Sequence, residues 1–166
     1  TGLKIFDRLK KRDDIELITV PDELRKDAAA RKQAICDADI AFLCLPDAAA
    51  IEAANLALDC DTVIIDTSTA HRTSDGWTYG FPEIFENGFE KIASSKRIAS
   101  PGCYASGFIA LVKPLIDNNI VSPDCNFYCH AMSGYSGAGK KGIALYENDE
   151  IPLELCSPRE YALTQE

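Results

Sequence analysis

The sequence predicts an α/β protein built on a parallel sheet, and three observations carry that expectation. Two short runs are apolar almost throughout, Ile40-Ala41-Phe42-Leu43-Cys44-Leu45 and Thr62-Val63-Ile64-Ile65-Asp66. Strands without polar alternation are those covered on both faces, as in parallel sheets. Between them lies an alanine-rich helical stretch, Ala48 to Leu58. Apolar strands alternating with helices define the doubly wound class.

Each element has its own justification. Leu3, Phe6 and Leu9 recur at helical spacing, and Lys10, Lys11 and Arg12 close the segment, so the chain is expected to begin inside a helix. Ile15 to Val20 reads as a β-branched strand ended by Pro21-Asp22. Asp22 to Ala38 is polar and alanine-rich, a helix with some irregular connection. The strand from Ile40 stops at Pro46, and the strand from Thr62 ends on an acid, Asp66. Lys96 to Ala99 is strand-like, and Asn126 to Met132 reads as another strand before a glycine-rich stretch.

Composition bounds the function. The chain has 166 residues, 46% hydrophobic and 26% charged, as in ordinary globular proteins. Its net charge of −9 repels nucleic acid and anionic membrane, so neither is an expected partner. The apolar run at residues 40–45 is far too short to span a bilayer. Seven cysteines follow no spaced framework, and the start, Thr1-Gly2-Leu3-Lys4, does not look like a signal peptide. Free thiols in a reducing cytoplasm are the expectation. Cys36, Cys44 and Cys60 are expected in the core. Cys125 and Cys129 would share one face of a strand, and with only His130 nearby no metal site is expected.

Cys103 stands apart from the other cysteines. In Ser100-Pro101-Gly102-Cys103-Tyr104-Ala105-Ser106-Gly107, Pro101 and Gly102 make a turn, and Cys103 falls on the first turn of the helix that follows. Amides at a helix start favour a thiolate and can hold the oxyanion formed when it attacks a carbonyl. The alternative is a buried cysteine acting as a small hydrophobe.

Ligands of parallel sheets bind at the carboxyl ends of the strands, here Leu45-Pro46-Asp47 and Asp66-Thr67-Ser68-Thr69-Ala70-His71-Arg72. Arg72 could fork onto a phosphate or carboxylate, or form a surface ion pair. Asp66 and Ser68 could serve a ligand or cap a turn. His71 and His130, the two histidines, read first as structural. The glycine-rich Ser133-Gly134-Tyr135-Ser136-Gly137-Ala138-Gly139-Lys140 could form an anion nest or a surface hairpin, and its spacing is not that of a P-loop.

Four ordered segments together resemble the N-acetyl-γ-glutamyl-phosphate reductases. Ser100 to Ser106 is similar to the family's Asn-Pro-Gly-Cys-Tyr-Ala-Thr segment, and Leu43-Cys44-Leu45-Pro46 to its strand end near the nicotinamide. Residues 66–72, followed by Tyr79-Gly80-Phe81-Pro82-Glu83, resemble its Asp-Leu-Ser-Ala-Asp-Phe-Arg segment, and residues 133–140 its Ser-Gly-x-Ser-Gly-Ala-Gly-Arg segment. Thr1-Gly2-Leu3 resembles the end of its glycine-rich loop. Lys140 stands where the family has arginine.

The resemblance implies a Rossmann-like domain over residues 1–98 without its first strand. It implies the start of an α+β catalytic domain, similar to that of glyceraldehyde-3-phosphate dehydrogenase, over residues 99–166. It also implies NADPH-dependent reduction of N-acetylglutamyl 5-phosphate to the semialdehyde, a step of arginine biosynthesis, in a homo-oligomer. Cys103 would be the nucleophile, and the acid/base histidine would lie beyond residue 166. Ser68, Arg72, Ser133, Gly134, Ser136 and Lys140 would hold substrate and phosphate. Gly2, Leu45, Pro46, Ser68 and Gly137 would line the cofactor. Arg25 and Lys26 are the only basic residues just beyond Val20, and NADP against NAD stays open at this point. Two alternatives stand beside this reading. One is aspartate-semialdehyde dehydrogenase; the other is an inactive nucleotide-binding or oligomerisation piece, as expected if these residues are an internal part of a longer enzyme.

Overall fold

A computed structural model describes residues 2–132, 134, 137, 143, 144 and 147. In chain order the elements are α1 (Gly2–Leu9), α2 (Ala28–Cys36), β1 (Ile40–Leu43), α3 (Asp47–Leu56), β2 (Val63–Asp66), β3 (Thr78–Tyr79), α4 (Gly88–Ala93), β4 (Arg97–Ala99) and α5 (Cys103–Asp117). Short 3-10 turns occupy Asp22–Leu24 and Pro82–Ile84.

The four strands form one sheet in the order β1-β2-β4-β3, parallel at every pairing. The register matters most for function. Leu43 lies opposite Asp66, Asp66 opposite Ala99, and Ala99 opposite Tyr79. All four strands therefore end on one line, and the loops that follow them leave from a single edge. This is the parallel α/β sheet the apolar runs predict and the Rossmann-like arrangement the resemblance implies, although β1 is not covered on both faces, since Ile40 and Phe42 are exposed.

The core lies between β1, β2 and α3. Leu43, Ala53, Ala54, Ala57 and Ile64 form its buried cluster, with Ile35, Cys60 and Trp77 packed against it. Alanines on the inner face of α3 let the helix approach the sheet closely, so Ile64 is fully enclosed. That enclosure contributes about 2 kcal/mol. Asp27 caps α2 by accepting from the Ala30 amide at 2.7 Å. The Thr62 hydroxyl donates to the Ile35 carbonyl, tying the end of α2 to the start of β2.

Three expectations need correction. Ile15 to Val20 forms no strand: the run is β-branched, but no neighbouring strand offers it a ladder, and β1 remains an edge. Asn126 to Met132 is likewise irregular, so Cys125 and Cys129 share no strand face and both are exposed. Cys36 and Cys60 are not free core thiols but a disulfide, with Cα atoms 5.1 Å apart. The packing of α2 on α3 brings these distant positions together, which no local spacing announces. Cys44, Cys103, Cys125 and Cys129 are free.

Candidate active site

The site is built from the loops that follow β1, β2 and β4. Asp66 ends β2 and is completely buried. One carboxylate oxygen accepts from the Ser68 amide at 3.0 Å. The other accepts from the Ser68 hydroxyl and from His71 Nδ1, each at 2.6 Å. With the Asp66 carboxylate as acceptor, Nδ1 is the ring nitrogen that carries the proton. Ser68 Oγ in turn accepts from the Ala70 amide. The His71 ring is stacked on Trp77, with centroids 3.9 Å apart. The segment 66–71 is thus a closed turn wound around one buried carboxylate, the capping role that an Asp at such a position suggests.

Arg72 follows immediately. Its Nε donates to the Ser100 carbonyl at 3.0 Å and its Nη2 to the Thr67 carbonyl at 3.3 Å. The Ser100 amide donates to the Asp66 carbonyl at 2.7 Å. Both backbone polar groups of Ser100 are therefore held, one by the last residue of β2 and the other by the loop that follows it. Pro101, Gly102 and Cys103 come next.

Cys103 is the first residue of α5 and is exposed. Gly102 precedes it with φ −74° and ψ 150° and brings no side-chain cap to the helix start. The Ser106 amide and hydroxyl both bond the Gly102 carbonyl, fixing the first turn. The expectation of strand, turn, cysteine and helix is met in this order, with β4 ending at Ala99. The thiol stands at the carboxyl edge of the sheet rather than in the core.

The loop after β1 joins this assembly through a contact that sequence reasoning passed over. Asp47, in the first turn of α3, accepts from the Thr69 amide at 3.0 Å and the Thr69 hydroxyl at 2.6 Å. Those bonds, chiefly the hydroxyl's, hold the Asp47 carboxyl below its ordinary range, assisted by the positive charge of Arg72. Leu45 is 39% exposed, and Pro46 caps α3 from an extended conformation. An acid directly after Leu45-Pro46, opening a helix at a strand's carboxyl end, was the available signal for Asp47.

The structure brings Leu45, Pro46, Ser68, Arg72 and Cys103 to one edge. Ser68 differs from expectation in orientation: it is 7% exposed, and its hydroxyl serves Asp66 and Ala70. Gly2 opens α1, and Gly134 and Gly137 are joined to each other by a backbone hydrogen bond. Ser133, Ser136 and Lys140 lie outside the described residues. Among the described residues, no group of three or more potential metal ligands occurs, and no helix is long and apolar enough to cross a membrane.

Comparison with known proteins agrees with this architecture. The family profile described as "Semialdehyde dehydrogenase, NAD binding domain" matches residues 4–92. A second, "Semialdehyde dehydrogenase, dimerisation domain", matches residues 103–163. A Trichormus variabilis protein named N-acetyl-gamma-glutamyl-phosphate reductase is 47% identical over 89% of this chain and 46% of its own length. A Burkholderia orbicola protein of the same name is 42% identical over the whole chain and 53% of its own length. The chain thus spans about half the length of the curated relatives it matches. In the crystal structure of aspartate semialdehyde dehydrogenase II from Vibrio cholerae, 37% of the chain superposes on 76% of this one, with a TM-score of 0.51 and 21% identity, a likeness of fold.

Proposed function

Because the chain belongs to the semialdehyde dehydrogenase family, we propose that it forms part of an N-acetyl-γ-glutamyl-phosphate reductase in which Cys103 is the nucleophile. The observation that carries this reading is the exposed Cys103 thiol at the first position of α5, one short turn beyond the edge where four strands end in register. The names of relatives at 42–47% identity supply the substrate class. Residues 1–98 serve as the cofactor domain and residues 99–166 as the start of the catalytic domain.

The chemistry follows from the residues. The Cys103 thiolate attacks the carbonyl carbon of the acyl phosphate, the bond to the phosphate oxygen breaks, and inorganic phosphate leaves a thioester on sulfur. Amides of the first turn of α5 lie where the carbonyl oxygen becomes negative. Arg72, beside the turn, offers a cation to the departing phosphate. Ser68 shapes the phosphate loop from inside. Ser133, Gly134, Ser136 and Lys140 meet the polar end of the substrate. Leu45 and Pro46, exposed at the strand edge, fit a flat nicotinamide ring, and with Gly2, Ser68 and Gly137 form this chain's share of an NADPH site. Bound NADPH supplies the hydride that brings the thioester to the aldehyde level. The enzyme acts as a homo-oligomer.

The test uses the intact protein with NADPH and N-acetylglutamyl 5-phosphate, read by loss of absorbance at the nicotinamide band. Cys103→Ser is expected to lower kcat by roughly a thousandfold or more while NADPH binding persists. Turnover that survives Cys103→Ser removes the nucleophile assignment. Activity with aspartyl phosphate in place of the acetylated substrate removes the substrate assignment.

A further inference from the structure

We propose that His71 and Asp66 are positioning residues that set the geometry of the Cys103 turn through Arg72. The inference rests on the reading of Cys103 as the nucleophile and adds to it two residues, His71 and Asp66, that act on the Cys103 turn by way of Arg72. His71 is 7% exposed and Asp66 is fully enclosed, so the pair spends two ionisable groups where neither meets bulk water. A buried carboxylate costs stability unless donors surround it, and Asp66 has three: the Ser68 amide, the Ser68 hydroxyl and His71 Nδ1. His71 is held on its flat face by Trp77. The ring is thus held at its edge and its face, and Arg72 follows it directly in the chain. Arg72 then spans to the Ser100 carbonyl, while the Asp66 carbonyl takes the Ser100 amide. Three residues further on, past Pro101 and Gly102, the chain enters Cys103. The path from the buried carboxylate to the thiol therefore runs through bonds of 2.6–3.0 Å and one tethered residue, Ser100.

The two ring functions can be separated by substitution. His71→Phe keeps an aromatic ring for Trp77 but removes the donor to Asp66. His71→Asn places an amide N–H near the Nδ1 position but loses the stack. If the donor sets the turn, His71→Phe lowers kcat/KM for the acyl phosphate by roughly 10- to 100-fold with the KM for NADPH unchanged, and His71→Asn recovers most of the loss. The second readout does not depend on the reaction. Alkylation of Cys103 by iodoacetamide, followed by peptide mass spectrometry against Cys125 and Cys129 as internal standards, slows several-fold in His71→Phe and returns in His71→Asn. Wild-type protein that alkylates at Cys103 but lacks reductase activity refutes the functional reading and leaves the positioning test intact. Equal alkylation rates in wild type and His71→Phe overturn the proposal, as does equal loss in the two His71 variants. Asp66→Asn, nearly identical in shape, is the second variant should His71→Phe not fold: unchanged kinetics and labelling in it also overturn the proposal.

Discussion

Asp47 shows how a single side chain couples two loops of the site. Its carboxylate, in the first turn of α3, receives both donors of Thr69 from the loop after β2, and its carboxyl is held below the ordinary value of 3.8 by the Thr69 hydroxyl first, then the Thr69 amide and nearby cations. A folded-state value lower than the unfolded one means that folding favours the ionised form. The contribution is present in full above the ordinary aspartate range and disappears as pH falls through the lowered value. Thr69→Val removes the hydroxyl donor and keeps the amide. Stability at neutral pH is expected to fall by about 1 kcal/mol, less than a buried hydrogen bond to a charged group contributes, because the pair is exposed to solvent. Acid unfolding followed by circular dichroism should begin at higher pH in this variant than in wild type. Identical acid limbs would show that the Asp47–Thr69 bond does not hold the loops together. Serine and threonine near strand ends are common, and nothing local in Thr69 distinguishes a ligand contact from this tether. The buried Asp66 was legible only as a capping acid, because its third donor, His71, is brought in by a turn that also stacks the ring on Trp77.

At the scale of elements, the short α4 is placed by a close approach. Gly88 opens that helix and is buried against the Pro82–Ile84 turn. A Cβ at this position would lie 2.0 Å from the Pro82 carbonyl oxygen and 2.7 Å from its carbon. The obstructing atoms are backbone, so no rotamer change relieves them, and α4 must move away from the turn. Gly88→Ala is expected to cost about 3 kcal/mol, the upper range for overpacking, despite the better helix propensity of alanine. Thermal denaturation of the variant checks it, with a fall in Tm of roughly 6–12 °C for a chain of this size. An unchanged Tm would mean that α4 is not seated on the turn as described. The helices and strands with strong local signals, α3, β1, β2, β4 and the start of α5, were legible because periodicity, proline stops and apolar runs agree there. Ile15–Val20 misled for a physical reason: β-branched residues favour a strand only where a partner supplies the hydrogen bonds. The two-residue β3 and the Cys36–Cys60 disulfide have no local signature, since each is decided by which distant segments meet.

For the molecule as a whole, parallel pairing with strand ends in register concentrates chemistry on one edge and leaves a different liability on another. The line from Leu43 through Asp66 and Ala99 explains why segments separated by some sixty residues, Leu45-Pro46, Ser68-Arg72 and Cys103, converge without any one of them indicating it. The same sheet order makes β1 an edge strand, and its outward side chains, Ile40 at 52% and Phe42 at 41% exposure, lie beside unpaired backbone. Apolar side chains next to an open ladder favour pairing with another chain. The 166-residue chain expressed by itself is therefore expected to self-associate as its concentration rises, despite a net charge of −9 that opposes association. Phe42→Lys places a charge on that edge without entering the buried cluster of Leu43, Ala53, Ala54, Ala57 and Ile64. It should shift the sedimentation coefficient toward that of the monomer, with the helical circular dichroism signal retained. Added salt separates the two forces at work. Screening the net charge should strengthen association of the wild-type chain, whereas an ionic contact would weaken. A wild-type chain that sediments as a monomer across the micromolar range, or one whose association is indifferent to Phe42→Lys, would place the adhesive surface somewhere other than β1.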